Sequence, residues 1–137
     1  KELRARLTDF ANDTLSPEDL IPRLRVDGHL PLASITPAVV EGLKAMEPFG
    51  SGNPRPVFHT GAVQLTKKPR VLKNQHLSMS IRQGARVFRA VAWRMADRAK
   101  FITQHGARLD VAFNLTENDY RGEHNIELSV ADVRQAR

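Results

Sequence analysis

Residues 48–58, PFGSGNPRPVF, set the first limit on what this chain can fold into. Three of its eight prolines and two of its eight glycines fall in this stretch, together with Asn53. Each proline locks φ and removes a backbone donor, whereas Gly50, Gly52 and Asn53 admit left-handed turns. Neither a helix nor a central strand passes through such a run. Phe49, Val57 and Phe58 supply apolar anchors, so the stretch reads as a shaped, packed connector between two differently built halves. An ordinary interdomain loop is the other reading.

Before the connector the pattern is mixed. In 2–15, Leu3, Leu7 and Phe10 recur near helical spacing, which predicts a helix whose partner lies upstream or that packs on the residues after it. Ser16-Pro17 breaks it and opens at most one further short turn. Residues 23–30 alternate and predict a short strand ending at Gly28. Thr36-Pro37 pairs a capping hydroxyl with proline at the first helical position, and Val39, Val40, Leu43 and Met46 line one face of the helix begun there. The chain opens at Lys1 in a helical pattern without an initiator Met, as expected of a piece cut from something longer. Residues 1–47 read as the tail of a preceding domain, 48–58 as the connector and 59–137 as the domain proper.

Beyond the connector the period changes from 3.6 to 2. Strands are predicted at 60–68, 76–82 (Leu77, Met79 and Ile81 to one side; His76, Ser78, Ser80 and Arg82 to the other), 86–94, 108–116 and 124–133. Residues 66–75 form a basic loop, 83–85 a tight turn, 96–105 a short helix with Gly106 as its C-cap, and 117–123 (ENDYRGE) a hairpin loop. Five strands with a helix between the third and fourth is the order of the OB-fold, a small Greek-key barrel within a mainly β (α+β) chain. Barrel closure also hides edges that a flat five-stranded sheet leaves open.

Charge adds an independent signal. The chain carries a net +6, yet between Glu47 and Asp97 there is no acidic residue and there are nine basic ones. The remainder holds twelve basic against fifteen acidic residues, so the whole excess sits in one segment. Segregation of this kind favours a polyanion partner over a merely solvated face. OB-folds bind single strands across strands two and three, flanked by the loop after strand one and the loop between strands four and five. The acid-free interval covers the first two of those elements.

The motifs PFGSGNPRPVF at 48–58, HLSMSI at 76–81, RAVAW at 89–93 and ENDYRGEHNIELSVADVR at 117–134 make the chain resemble the C-terminal part of the RecJ family of single-strand-specific exonucleases. The resemblance covers nearly the whole chain, with 1–47 similar to the end of the family's DHHA1-type domain. One departure stands at Trp93-Arg94, where the family usually has an aromatic followed by glycine. The resemblance implies a two-metal phosphoesterase, using Mn2+ or Mg2+, that degrades single-stranded DNA from its 5′ end in recombination and mismatch repair. It also implies that the chemistry lies in a DHH-type core whose Asp/His ligands and GGGH-type segment have no counterpart here. The five histidines stand apart from one another and from carboxylate pairs, so no catalytic residue, metal or cofactor is assigned to these residues.

The candidate DNA-binding residues are Lys67, Lys68, Arg70 and Lys73 on the basic loop, His76, Arg82 and Arg89 on the strand-two and strand-three face, and Tyr120 and Arg121 on the 117–123 loop. The cations would hold phosphates without reading bases. Tyr120 either stacks on a base or packs over the barrel end. Trp93 shares strand parity with Arg89 and has two readings, a stacking platform or, as the sole Trp and beside Ala92, a residue closing the core, of which the second is taken; the lone His76 has a structural reading as well. Partners implied are single-stranded DNA, the parent's DHH and DHHA1 domains, and a single-stranded DNA-binding protein. The other functional class is a protein-docking or clamp-closing module that takes an acidic partner on the same basic face. No cysteine, signal peptide or apolar run of about 18 residues is present, which fits a cytoplasmic protein without a membrane span.

Overall fold

In a computed structural model the chain is described from Lys1 to Arg137, Tyr120 by its backbone alone. Seven strands form one sheet: β1 (Gly28–His29), β2 (Phe58–Leu65), β3 (Arg70–Leu72), β4 (His76–Gln83), β5 (Arg86–Ala92), β6 (Leu109–Tyr120) and β7 (Glu123–Gln135). Their order is β1-β2-β6-β7-β5-β4-β3, and a further β2–β4 pairing closes β2, β4, β5, β7 and β6 into a five-stranded barrel. All its pairings are antiparallel except β5 with β7. This is the expected OB topology, with β1 and β3 as two short additions at its rim.

Closure requires one strand to serve two neighbours. The first part of β2 pairs with β6, and Gln64 and Leu65 then pair with Arg82 and Ile81 of β4. The register shifts between Thr60 and Val63, where Ala62 takes φ +55 and its N–H donates to Asp110 Oδ1 (3.2 Å). A bulge of this kind bends a strand and turns it from one partner to the next. The alternating residues face inward as expected: Leu77, Met79 and Ile81 from β4, Leu109, Val111, Phe113 and Leu115 from β6, and Leu128 and Val130 from β7 are all buried. Ile126 is only partly buried, and after a register shift between Ala112 and Phe113 it is Val133 that continues the inward row of β7.

Between β5 and β6 a short 3-10 turn (Ala96–Arg98) leads into α3 (Ala99–Gln104), whose Ile102 is fully buried. The expectation that Gly106 is the C-cap is corrected. Gly106 is absent from the positive-φ residues, and His105 with φ −101 caps the helix. A close approach accounts for the glycine instead: a Cβ there would lie 2.5 Å from Leu65 Cδ1, while Leu65 N–H donates to the Gly106 carbonyl (2.7 Å).

The residues before the connector join the same core. Leu32, Ile35 and Val40 cluster with the barrel interior. Gln83 ties them to β2: its Oε1 accepts from Leu32 N–H (2.8 Å), and its Nε2 donates to the buried Thr60 Oγ1 (2.9 Å) and to the Gly61 carbonyl (2.8 Å). Arg86 donates to the Ile35 carbonyl (2.9 Å). α2 (Pro37–Lys44) starts as expected, with Thr36 Oγ1 accepting from Val39 N–H (3.4 Å), but Met46 is exposed rather than on the packed face.

The expectations for this half are narrowed at three places. The strand over 23–30 shrinks to Gly28–His29, paired parallel with Phe58 and His59; residues 23–27 join no strand pairing, and Asp27 N–H donates to the Val57 carbonyl just before β2 (2.7 Å). α1 (Glu2–Thr14) forms, but Leu3, Leu7 and Phe10 are 71%, 59% and 67% exposed, so it does not pack on the residues after it. In the connector, Gly50, Gly52 and Asn53 use no positive φ; the turn is held by the Gly50–Asn53 bridge and by Asn53 Nδ2 donating to the carbonyls of Met46 (2.8 Å) and Pro48 (3.1 Å).

Candidate nucleic-acid interface

The outer face of β3, β4 and β5 can be read in rows, because residues opposite one another in an antiparallel pair share a side. Arg70 lies opposite Ser78, and Ser78 opposite Val91. One row along, Ser80 lies opposite Arg89; the next pairs Arg82 with Val87. The loop between β2 and β3 adds Lys67 and Lys68. Lys67, Lys68, Arg70 and Arg89 together wall an open groove whose floor includes Ser78 and Ser80. The four cations are exposed, and the two hydroxyls are small enough to let a backbone approach the sheet. The groove lining carries positive charge from the loop, from β3 and from β5, and no carboxylate is among its lining residues.

The basic loop over 66–75 is partly a strand: Arg70–Leu72 pairs with β4, which fixes Arg70 on the groove side. Lys73 sits with Asn74 at the β3–β4 turn, at φ +49 and +57, beyond the groove. Arg82 lies on the same face but donates through Nη2 to Gln64 Oε1 (3.0 Å), at the seam that closes the barrel. His76 is engaged with its own strand end. Its Nδ1 accepts from Arg94 N–H (2.9 Å) and its ring meets Trp93 edge to face, centroids 4.9 Å apart. The reading of Trp93 as a core residue is corrected: it is 55% exposed, on the Arg89 side of β5 that its parity indicates.

The element over 117–123 is also corrected from a loop to a ribbon. β6 and β7 stay paired as far as Tyr120 with Glu123, leaving a two-residue turn of Arg121 and Gly122 at φ +57 and +77. Two successive positive φ values make the type I′ hairpin turn, which favours glycine at the second position. Arg121 is therefore at the ribbon tip, away from the groove of Lys67 and Arg89; the side chain of Tyr120 lies outside the described residues.

Sequence reasoning missed the acidic boundary. Glu127 of β7 faces Arg89 (3.4 Å) and accepts from Asn118 Nδ2 (3.2 Å), so the positive field ends at β5. Its outward position in the strand alternation was the available signal. Replacing Glu127 by glutamine is expected to release Arg89 toward the groove. An oligonucleotide titration should show affinity rising about two- to fivefold at low salt, which is about 0.4–1 kcal/mol and in the range of an exposed ion pair. Unchanged affinity would take Arg89 out of the ligand path.

A second charged cluster holds the ribbon to α2. Lys44 reaches Glu117 (2.5 Å) and Glu41 (3.0 Å), and His124 bonds both Glu117 and Asp119 across the strands. Bonding from Lys44 first, then His124, holds the Glu117 carboxyl below its ordinary 4.5, and the same two glutamates hold the Lys44 ammonium above its usual range. Bonding to Glu117 first, then Asp119, raises His124 above its ordinary 6.5. The raised His124 contributes stability that is complete below 6.5 and is lost as pH rises through its folded value. The depressed Glu117 contributes above 4.5 and is lost as pH falls through its folded value, so the clamp is complete between 4.5 and 6.5. An NMR titration should find the His124 imidazole above 6.5, and Glu117→Gln should bring it back toward that value. Among the described residues there is no group of three or more His, Asp or Glu placed to hold a metal ion, and no helix is long and apolar enough to cross a membrane.

The family model of the RecJ OB domain matches residues 26–132. The single-stranded-DNA-specific exonuclease RecJ of Bacillus subtilis is 26% identical over 133 residues, covering 96% of this chain and 17% of that protein. The enzyme of the same name from Thermus thermophilus is 32% identical over 107 residues, 77% of this chain and 14% of its own length. The crystal structure of the Thermus thermophilus RecJ in complex with Mn2+ superposes with a TM-score of 0.68 at 27% identity, over 98% of this chain and 19% of that one. The chain thus spans less than a fifth of the relatives it matches.

Proposed function

This chain belongs to the RecJ OB domain family, and we propose that it is the DNA-gripping module of a longer exonuclease specific for single strands. In this reading it holds single-stranded DNA along the β3–β4–β5 face and guides it, 5′ end first, to a DHH core that lies outside these residues. The metal ions, Mn2+ or Mg2+, and the hydrolytic chemistry belong to that core; no side chain here is assigned a catalytic role. Recombination and repair in the cytoplasm is the setting this reading implies.

The observation that carries the proposal is the convergence of Lys67, Lys68, Arg70 and Arg89 around Ser78 and Ser80 on the face where OB-folds take single strands. Phosphate neutralisation supplies affinity without sequence preference, as suits an enzyme that must pass over every sequence. Titrating a labelled single-stranded oligonucleotide against a duplex of equal length over a salt series tests it. We expect single-strand preference and a log–log salt slope of roughly −2 to −3.5, the value for three to five phosphates. Absence of binding at low salt would overturn the grip. Displacement of this chain's oligonucleotide by an acidic peptide would instead mark the same cations as a dock for the tail of a single-stranded DNA-binding protein.

A further inference from the structure

The chain's one tryptophan is placed where a core residue is not needed. Trp93 stands just past β5, whose last pair is Leu77 with Ala92, and its ring meets that of His76 one position beyond. Leu72 of β3 pairs with His76 from the other side. Leu72, His76 and Trp93 thus form one further row of the outer face, next to the row of Arg70, Ser78 and Val91. Successive rows lie about 6.8 Å apart along a strand. Trp93 is therefore one row from Arg70 and two from Arg89, on the side where the cations line the groove.

The ring is also held in place. Arg94 sits at φ +56, a conformation that disfavours a side chain, and its N–H donates to His76 Nδ1. That bond fixes the imidazole, and the imidazole in turn meets the indole edge to face at 67°. A large apolar ring that is 55% exposed yet anchored by a neighbour and backed by the strand end loses little freedom when something flat is laid on it. Arg94, the amides of Asn74 and Gln75, and Asp97 line an open recess beside this strand end, so a base edge there meets both donors and a carboxylate acceptor.

From this arrangement we infer that Trp93, with His76 as its fixed buttress, is a stacking platform for one unpaired nucleobase at the end of the cationic groove. The inference rests on the proposed grip: the cations hold the strand and Trp93 seats a base. The indole contributes affinity through its π face, so any base serves and an abasic site does not. A duplex, whose bases are already stacked, gains nothing from it.

The test uses the intrinsic fluorescence of Trp93, which no other tryptophan obscures. Anisotropy of a labelled oligonucleotide reports the grip separately. Quenching that saturates with the anisotropy signal for a base-bearing single strand, and is lost for an abasic strand of equal length, supports the platform. Trp93→Ala should then weaken binding about 5- to 100-fold, with Trp93→Phe recovering part of the loss. Binding by anisotropy without quenching, or equal quenching by the abasic strand, overturns the platform and leaves the grip standing. No binding at all removes the grip and the platform with it.

Discussion

Exchanging Lys67, Lys68 and Arg70 together for glutamate is expected to lower single-strand affinity by about 100-fold or more at 50 mM salt and to flatten the salt slope by roughly 2. Each cation that neutralises a phosphate releases a condensed counterion, contributing roughly 0.7 to the slope on a single strand. Removing three such contacts accounts for the flattening, and the reversed charge adds repulsion. Arg89 cannot compensate, because Glu127 already faces it. All three exchanged residues are exposed, so the fold should keep its stability within about 0.5 kcal/mol per site. Lys100→Glu, also exposed but carried on α3 between β5 and β6, is the matched control and should change affinity by less than about twofold. An unchanged slope in the triple variant would remove the groove from the DNA path.

What the sequence made legible and what it did not divide along physical lines. Strands that bury one face announce themselves by alternation, and so β4 and the first part of β6 were readable from Leu77, Met79, Ile81 and from Leu109 to Leu115. The outer part of the β6–β7 ribbon has little to bury. It is held by polar pairs directly opposite each other, Asn118 with Asn125 and Asp119 with His124, and ENDYRGE therefore reads as a loop. Leu32 and Ile35 gave no period because they enter the core from a 3-10 turn of three residues and its end, and their union with the barrel depends on Gln83 at a separation of 51 residues. Of the candidate site, Lys67, Lys68, Arg70 and Arg89 are brought together by the β3–β4–β5 register, whereas Lys73, Arg82 and Arg121 are carried to a turn, a seam and a ribbon tip. Trp93 shows where two rules conflicted. Residue type argued for the core and strand parity argued for the surface, and parity was the better guide: β5 ends at Ala92, yet the Trp93 ring carries on to the outer side, against His76 and 55% exposed.

Truncating Phe113 to alanine is expected to have the largest effect on stability, about 3–5 kcal/mol. Among the described residues Phe113 is the largest fully buried side chain, and it sits at the register shift between Ala112 and Phe113, with the Phe58 ring 6.3 Å away at the start of β2. The surrounding residues come from strands locked on both sides by the closed barrel, so the walls cannot move in to fill the space. The loss is therefore the transfer energy of the ring plus most of a cavity term. Against a typical total of about 5–15 kcal/mol, it removes a large share of the fold's margin and lowers the melting temperature by on the order of 10–25 °C. Below its new midpoint the variant should still bind oligonucleotide with the parent's salt slope, since every groove cation lies on the outer face. Val87→Ala, at a 52% exposed site on that outer face, should shift melting by the equivalent of no more than about 0.5 kcal/mol. A small effect at Phe113 would mean that the barrel relaxes around the gap, and that its closure is looser than the β2–β4 and β2–β6 pairings imply.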